Sequence, residues 1–203
     1  MIRNPFAIVR WFEEEIAHYT GAPYAIATDS CTNAIFLSCK HLGVDGKTIT
    51  VPSRTYLSVP QSVRQAGANV QFEDLDWKGI YQLKPFPIYD AAKRLTSGMY
   101  IPGSLMCLSF HFKKHLKIGK GGMILTDNVG AVEHIKRMRY EGRTENISYH
   151  EDIIDEEGWN MYMTPEQAAR GLVLLTDHPQ NSPDLIEDPP YRDLTEFSLF
   201  KKG

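Results

Sequence analysis

The chain has 203 residues, of which 42% are hydrophobic and 23% are charged, which is an ordinary composition for a folded globular protein. Its net charge of −3 argues against a partner with a phosphate backbone, so we expect no nucleic-acid binding. No apolar run approaches the roughly 20 residues that cross a bilayer, so we expect no membrane partner either.

The N-terminus and the cysteines predict a cytoplasmic protein. The opening MIRNPFAIVRWFEEE turns acidic where a signal peptide would turn apolar. Cys31, Cys39 and Cys107 form an odd, sparse set that lacks the spacing of metal ligands. We therefore expect reduced thiols and no bound metal.

The first half of the chain predicts helices that alternate with short strands. Asn4-Pro5 is a good helix start, with Asn4 as N-cap and the proline in the first turn, and Gly21 ends the apolar helical period that follows. Strands are predicted at 24–27, 48–51 and 70–72. A second helix runs through Ala34 and Leu42, and a short third helix starts near Pro60.

The second half continues this alternation. Strands are predicted at 87–89, 105–109 and 123–126, and helices at 129–139 and 165–175. Thr164-Pro165-Glu166-Gln167 forms a capping box at the start of the last helix. The pattern predicts an α/β fold with a mostly parallel sheet flanked by helices, in a domain spanning 1–175. Residues 176–203 contain several prolines and no sustained period, which predicts an irregular tail.

A serine, a lysine pair and a glycine-rich turn follow the strand at 105–109. Ser109, Lys113 and Lys114 precede Gly119-Lys120-Gly121-Gly122, and together they could hold a phosphate. A P-loop is excluded, because the order GxxxxGK[ST] is absent and no helix follows the glycines. The alternative is a solvated lysine pair.

Three other positions could contribute to the same site. Asp90 ends an apolar strand, where open α/β sheets collect ligands; the alternative is a turn or cap aspartate. Ser30, Cys31 and Thr32 stand at a predicted helix N-terminus, which favours an anion, although ordinary N-capping explains them too. Tyr56 follows a strand and could stack on a flat ring; the alternative is a buried tyrosine.

Together these groups match the requirements of pyridoxal 5'-phosphate (PLP). A lysine forms a Schiff base with the cofactor, and an acid partners the pyridine nitrogen. An anion site takes the phosphate and an aromatic side chain covers the ring. The set is much more specific than any of its members, and it predicts PLP as cofactor.

The order of the motifs resembles a known family. Residues 12–34 run like the segment FE..a.y.Ga.yaia..S.TnAl, and Asp90-Ala91-Ala92 is similar to a DAA motif. Ser109-Phe110-His111 with Lys114 and Gly121-Gly122 matches SFh..Kn...G.GG without a gap. Residues 158–169 resemble G.N.r.t..qAA. These motifs cover about residues 6–175 and resemble the DegT/DnrJ/StrS family of PLP-dependent nucleotide-sugar aminotransferases, which have fold type I.

The resemblance implies a role for each matched residue. It selects Lys114 rather than Lys113 as the Schiff-base lysine, Asp90 as the partner of the ring nitrogen, and Ser109 as a phosphate ligand. Asn160 matches an asparagine that serves the cofactor of the neighbouring subunit, which implies a homodimer with shared active sites. The implied reaction transfers an amino group from an amino-acid donor, typically glutamate, to a keto-sugar nucleotide.

The sequence also departs from the family pattern. Lys93 stands where the family usually has His or Gln beside the cofactor, Tyr162 replaces an arginine, and His115 replaces the asparagine after the Schiff-base lysine. We find no counterpart of the substrate-facing N-terminal segment or of most of the small C-terminal domain. Two alternatives follow: a degenerate member that binds PLP or a partner without turnover, and a PLP-dependent sugar dehydratase. Some dehydratase relatives carry histidine at the position of Lys114, so the lysine here argues against the dehydratase.

Overall fold

The computed structural model describes Asn4 and residues 6–201. The helices are α1 (Ala7–Thr20), α2 (Cys31–His41), α3 (Ser58–Gln65), α4 (Val129–Met138), α5 (Pro165–Thr176) and α6 (Ser198–Lys201). The strands are β1 (Tyr24–Thr28), β2 (Thr48–Pro52), β3 (Asn69–Glu73), β4 (Tyr81–Leu83), β5 (Ile88–Asp90), β6 (Leu105–Ser109) and β7 (Gly122–Thr126). A 3₁₀ turn (Leu194–Glu196) precedes α6. Each predicted strand is present, with ends shifted by at most one residue.

A central five-stranded sheet has the order β1-β7-β6-β5-β4. Only β5 and β6 pair in parallel within it, whereas β1–β7, β6–β7 and β4–β5 are antiparallel. Strands β2 and β3 form a separate parallel pair, which meets the end of β4 through a bridge between Thr50 and Lys84. The predicted α/β class, with a mostly parallel sheet flanked by helices, is confirmed. Strands β1, β5 and β6 of the central sheet run in one direction, and β4 and β7 are inserted in the opposite direction. The segment from β6 to β7 contains no helix, and a connection without one favours an antiparallel return.

Strand β4 escaped prediction. It has only three residues, Tyr81–Leu83, and it pairs with β5 as an antiparallel hairpin. Such a short strand shows no measurable alternation in the sequence, because two buried positions separated by one partly buried position do not establish a period.

The capping predictions concern the N-termini of α1 and α5. Helix α1 begins at Ala7, and Phe6 rather than Asn4 occupies the N-cap position. Asn4 still contributes, because its side-chain oxygen accepts the Phe6 N–H at 2.9 Å and its carbonyl accepts the Ala7 N–H at 3.1 Å. Pro5 lies outside the described residues. The capping box of α5 is confirmed, with reciprocal bonds between Thr164 and Gln167.

Helices cover both faces of the central sheet. Helices α2 and α4 pack on one face, where Cys107 and Ile124 of the sheet are buried, and α3 packs on α2 and β3. Helices α1 and α5 pack on the other face, against Met106, Leu108 and Met123. Because both faces are buried, β6 and β7 are continuous apolar runs rather than alternating ones. This sandwich holds the strand ends in fixed positions.

A buried ionic network joins α1 to the end of α4. Arg139 is 1% exposed, and its guanidinium donates to Glu13 Oε1 at 2.6 Å and to Glu145 Oε1 at 2.5 Å. Glu13 also accepts the Ala27 N–H at 2.8 Å and pairs with Lys136 at 3.0 Å. Burial raises the pKa of Glu13, but the charges of Arg139 and Lys136 outweigh it and leave this pKa below its usual value. The network fixes the distance between α1 and the central sheet.

The structure gives further facts on thiols, metals and membranes. All three cysteines are free, and within Asn4 and residues 6–201 no cluster of metal-ligating side chains is present. Over the same residues, no helix is both long and apolar enough to span a membrane.

Candidate active site

A pocket of about 440 Å³ lies beyond the ends of β5 and β6. The register places Asp90 opposite Cys107, and Ser109 opposite Gly122, so these strand ends share one edge of the sheet. The pocket takes its walls from this edge, from the N-terminus of α2 and from the turn after β6. It contains seven of the predicted site residues: Ser30, Cys31, Thr32, Tyr56, Asp90, Ser109 and Lys114.

Asp90 is held rigidly at the bottom of this pocket. It is 5% exposed, its Oδ1 accepts the Ala92 N–H at 2.9 Å, and its Oδ2 accepts the Tyr81 hydroxyl at 2.8 Å. The Tyr81 hydroxyl also lies 2.6 Å from Thr55 Oγ1. Burial raises the pKa of Asp90, while these two donors and the charge of Lys114 oppose the rise. Each carboxylate oxygen retains a lone pair for a further donor.

Lys114 stands in the turn after β6, where its backbone N–H donates to the His111 carbonyl at 2.8 Å. It is partly buried, whereas the neighbouring Lys113 is exposed, although both line the pocket. The charge of Lys114 acts on Asp90 and on Cys31, where it opposes the burial that raises the pKa of the thiol well above its usual value. Of the two lysines, Lys114 is the more buried one, and its charge acts on the acid at the bottom of the pocket.

The N-terminus of α2 forms the opposite wall. Ser30 is its N-cap, with the side chain accepting the Asn33 N–H at 3.2 Å, so the capping interpretation of Ser30 is correct. The Thr32 hydroxyl lies 2.8 Å from the Ser58 hydroxyl. The N–H groups of Cys31 and Thr32 belong to the first turn, where a helix supplies no partner of its own. This wall can therefore cap and also bind an anion.

Gly122 allows β7 to approach this wall. A Cβ on Gly122 would lie 2.4 Å from the Ser30 carbonyl carbon and 2.5 Å from the Cys31 nitrogen, which is too close for any side chain. Gly122, the second glycine of the predicted pair, is thus needed for the close packing of β7 against α2.

Tyr56 lies at the mouth of the pocket. It is 59% exposed, which excludes the buried-tyrosine alternative, and its ring stands 6.3 Å from that of Tyr191. Its edge-on contact with Tyr191 leaves it available to a ligand ring.

Asn160 is not in this pocket. It is exposed, its Nδ2 donates to Glu141 Oε1 at 3.0 Å, and its backbone bridges to Tyr140. Tyr162, at the position of the family's arginine, lines a separate cavity of about 270 Å³ with Phe6 and Tyr140. Neither residue reaches the pocket of its own chain.

Sequence reasoning missed four side chains of the site. Tyr81 anchors Asp90, and Trp77, Glu187 and Tyr191 line the pocket around Lys93. Glu187 and Tyr191 come from the predicted irregular tail, which returns to the mouth of the pocket. The lysine at position 93, where the family usually has His or Gln, was the indication in the sequence that further residues line the pocket. A buried cation near a cofactor needs an anionic or aromatic partner.

Comparison with known proteins identifies the family. A model of the DegT/DnrJ/EryC1/StrS aminotransferase family matches residues 3–101 and 101–182, which is most of the chain. The chain therefore belongs to this family, and the resemblance noted in the sequence is confirmed. The family is PLP-dependent.

Two relatives illustrate the sequence similarity. The spore coat polysaccharide biosynthesis protein SpsC of Bacillus subtilis is 24% identical over 81% of this chain and 55% of its own length. The GDP-perosamine synthase of Caulobacter vibrioides is 28% identical, again over 81% of this chain and 55% of its own length. The chain spans about half the length of these relatives.

Solved structures show the same fold. AtS13 from Actinomadura melliaura superposes with a TM-score of 0.74 at 18% identity, over 86% of this chain and 60% of that one. An aminotransferase from Psychrobacter cryohalolentis gives a TM-score of 0.72 at 20% identity, over 83% of this chain and 56% of that one.

Proposed function

We propose that the pocket binds PLP covalently at Lys114, and that the protein transfers an amino group from an amino-acid donor to a keto-sugar nucleotide. The observation that carries this proposal is the convergence in one pocket of a lysine, a buried acid and a helix N-terminus. The nucleotide-sugar substrate draws on the names of relatives, which include a GDP-perosamine synthase and a UDP-4-amino-4,6-dideoxy-N-acetyl-beta-L-altrosamine transaminase.

The residues present fit the cofactor. The pocket volume of about 440 Å³ falls within the range of roughly 300–1,000 Å³ that is usual for small-molecule sites. Asp90 has spare lone pairs for a pyridine N–H, because its two protein donors use only part of its capacity. Ser109 and the first turn of α2 offer a hydroxyl and free N–H groups to a phosphate. Tyr56 offers a ring at the mouth.

Each side chain would then perform one task. PLP, when bound, supplies an electron sink for the bonds at the Cα of an amino acid. Asp90 would hold the proton on the pyridine nitrogen through its buried carboxylate. The ε-amino group of Lys114 would move a proton between the Cα of the donor and the C4′ atom of the cofactor. Ser109 and α2 would fix the phosphate and thereby the orientation of the ring.

We further propose a homodimer in which Asn160 serves the site of the partner subunit. Its position supports this, since it is exposed and lies outside the pocket of its own chain. A two-fold interface repeats each contact, so two equivalent shared sites would form. The PLP-binding domain would comprise residues 1–175, and the tail that follows would add Glu187 and Tyr191 to the pocket. We place the protein in the cytoplasm.

Borohydride trapping tests the cofactor assignment. The protein is incubated with PLP, reduced with borohydride and digested, and the pyridoxyl group is located by mass spectrometry. We expect it on Lys114, with labelling abolished in Lys114→Ala and retained in the matched variant Lys113→Ala. A pyridoxyl group on Lys113 would show the motif register to be wrong, and no label would refute the cofactor. A labelled protein that transfers no amino group would be the degenerate member.

A further inference from the structure

The ammonium group of Lys93 is enclosed within the candidate active site. Lys93 is 7% exposed, and its Nζ lies 4.5 Å from the ring centroid of Tyr191 and 5.1 Å from that of Trp77. Its one ion-pair partner among the described residues is Glu187, whose Oε2 is 3.3 Å away. Burial lowers the pKa of Lys93, and Glu187 opposes this. The site thus contains an ammonium group that contacts two aromatic rings and forms an ion pair with the Glu187 carboxylate.

Both Glu187 and Tyr191 belong to an arch, residues 186–192, that is fixed at its two ends. At the first end, Asp184 forms a bidentate pair with Arg94 at 2.8 and 2.7 Å, and the Leu185 N–H donates to the Lys93 carbonyl at 2.9 Å. At the other end, the Leu194 N–H donates to the Ser53 carbonyl at 2.9 Å.

Asp193 adds an ion pair with Arg54 at 3.2 Å to this second end. The arch itself is held to the pocket mainly through Glu187 and Tyr191. Its ends can therefore stay in place while the Glu187 side chain moves.

A buried ammonium requires an anion, because its desolvation is costly without one. Here the chain supplies that anion from the Glu187 side chain, which is 31% exposed. An external carboxylate would offer the same charge and the same acceptor atoms. Replacement of the Glu187 carboxylate by an external carboxylate leaves the net charge around Asp90 unchanged. A diphosphate in the same place would add negative charge beside that acid.

We propose that Lys93 recognises a carboxylate of the amino-acid donor, and that Glu187 occupies this carboxylate subsite until the donor displaces it. The inference rests on the proposed function, since it assigns a substrate group to the same pocket. Lys93 is then a specificity-determining residue, and Glu187 is an internal competitor. The apparent affinity for a carboxylate is reduced by the fraction of molecules in which Glu187 occupies the subsite.

Calorimetric titration with glutarate tests this competition. Glutarate has the carboxylates of a glutamate donor but no amino group, so it binds without reacting; saturating PLP blocks the phosphate wall. We expect Glu187→Gln to bind glutarate more tightly than the parent by at least about tenfold, the effect of freeing one charged hydrogen-bonding partner. Misfolding cannot mimic this result, because it would weaken binding. The neutral analogue glutaramide should gain nothing.

Two control variants separate the subsite from the rest of the tail. Asp193→Asn removes a tail carboxylate at the other anchor and should leave the affinity for glutarate unchanged. Adding Lys93→Met to Glu187→Gln should abolish the gain, with folding checked by thermal unfolding. An unchanged or weaker affinity in Glu187→Gln, an equal gain in Asp193→Asn, or an equal gain for inorganic phosphate would each overturn the proposal.

The two proposals can fail separately. If borohydride labels Lys114 and Glu187→Gln gains no affinity for glutarate, the carboxylate subsite is wrong and the cofactor assignment stands. If no lysine is labelled, the proposed function falls, and the assignment of the subsite to an amino donor falls with it even where glutarate binds.

Discussion

Replacement of Asp90 by Asn isolates the charge at the bottom of the pocket. The hydrogen bonds can be rebuilt, because the Tyr81 hydroxyl lies 2.6 Å from Thr55 Oγ1 and can donate there instead. The new amide would then donate to the Tyr81 oxygen, while its carbonyl oxygen accepts the Ala92 N–H that now meets Asp90 Oδ1. The substitution therefore removes the negative charge and keeps both contacts of residue 90, but the second N–H of the new amide and the Thr55 hydroxyl proton are left without an acceptor.

The expected magnitudes follow from this geometry. Because buried donors are left without an acceptor, the free energy of unfolding should fall by about 1–3 kcal/mol. The proton on the pyridine nitrogen loses its anionic partner, so amino transfer should slow by about 10²-fold or more, as for loss of one preorganised electrostatic group. That factor corresponds to roughly 2.7 kcal/mol in the activation free energy. PLP binding should weaken but persist.

Stopped-flow spectroscopy of the bound cofactor with glutamate measures the transfer step, and urea unfolding measures stability. The matched variant Tyr81→Phe keeps the carboxylate of Asp90 and removes one of its donors, so its rate should stay within about tenfold of the parent. If Asp90→Asn transferred the amino group at the parental rate, the charge of Asp90 would have no role in catalysis and Asp90 would be a turn residue. A loss as large in Tyr81→Phe would mean that position, and not charge, is decisive.

Three further outcomes test the ionic core and the dimer. Arg139→Met leaves the buried Glu13 carboxylate without its main partner and should cost about 3–5 kcal/mol in urea unfolding. Lys84→Met removes the exposed ion pair with Glu73 and should cost about 0–1 kcal/mol. Similar costs for the two variants would contradict the buried network. The pKa of Glu13 is depressed in the folded state, so the stabilisation from its carboxylate is present above the unfolded pKa of about 4.3 and is lost as pH falls through the folded pKa. Glu13→Gln should therefore make the free energy of unfolding depend less steeply on pH in the acid range. An equally steep dependence in the variant and the parent would refute this. If Asn160→Ala weakens PLP binding, heterodimers of Asn160→Ala and Lys114→Ala chains should regain one intact shared site and with it parental PLP affinity; no recovery, or a fully loaded monomer, would exclude site sharing.

The sequence alone predicted most of the helices and strands, and it predicted the candidate site residues that the fold brings into one pocket. The strand at 105–109 and the capping box at Thr164 were predicted where they occur, because apolar runs and capping chemistry are local properties of the chain. Asp90, Ser109 and Lys114 could be grouped because a cofactor with several different functional groups demands several different residue types. Their meeting in one pocket follows from strand ends that share an edge.

Only the tertiary structure decided the pairing of the strands and the partners of the site. Nothing local in β6 and β7 says that they run antiparallel, since a strand buried on both faces has the same composition in either direction. Tyr81, in a three-residue strand, becomes important only through its bond to Asp90. Glu187 and Tyr191 lie in a proline-rich stretch without a period, and their contacts with Lys93 span about a hundred residues of chain. Contacts of that sequence separation depend on the path of the folded chain, which no local pattern of residue types specifies.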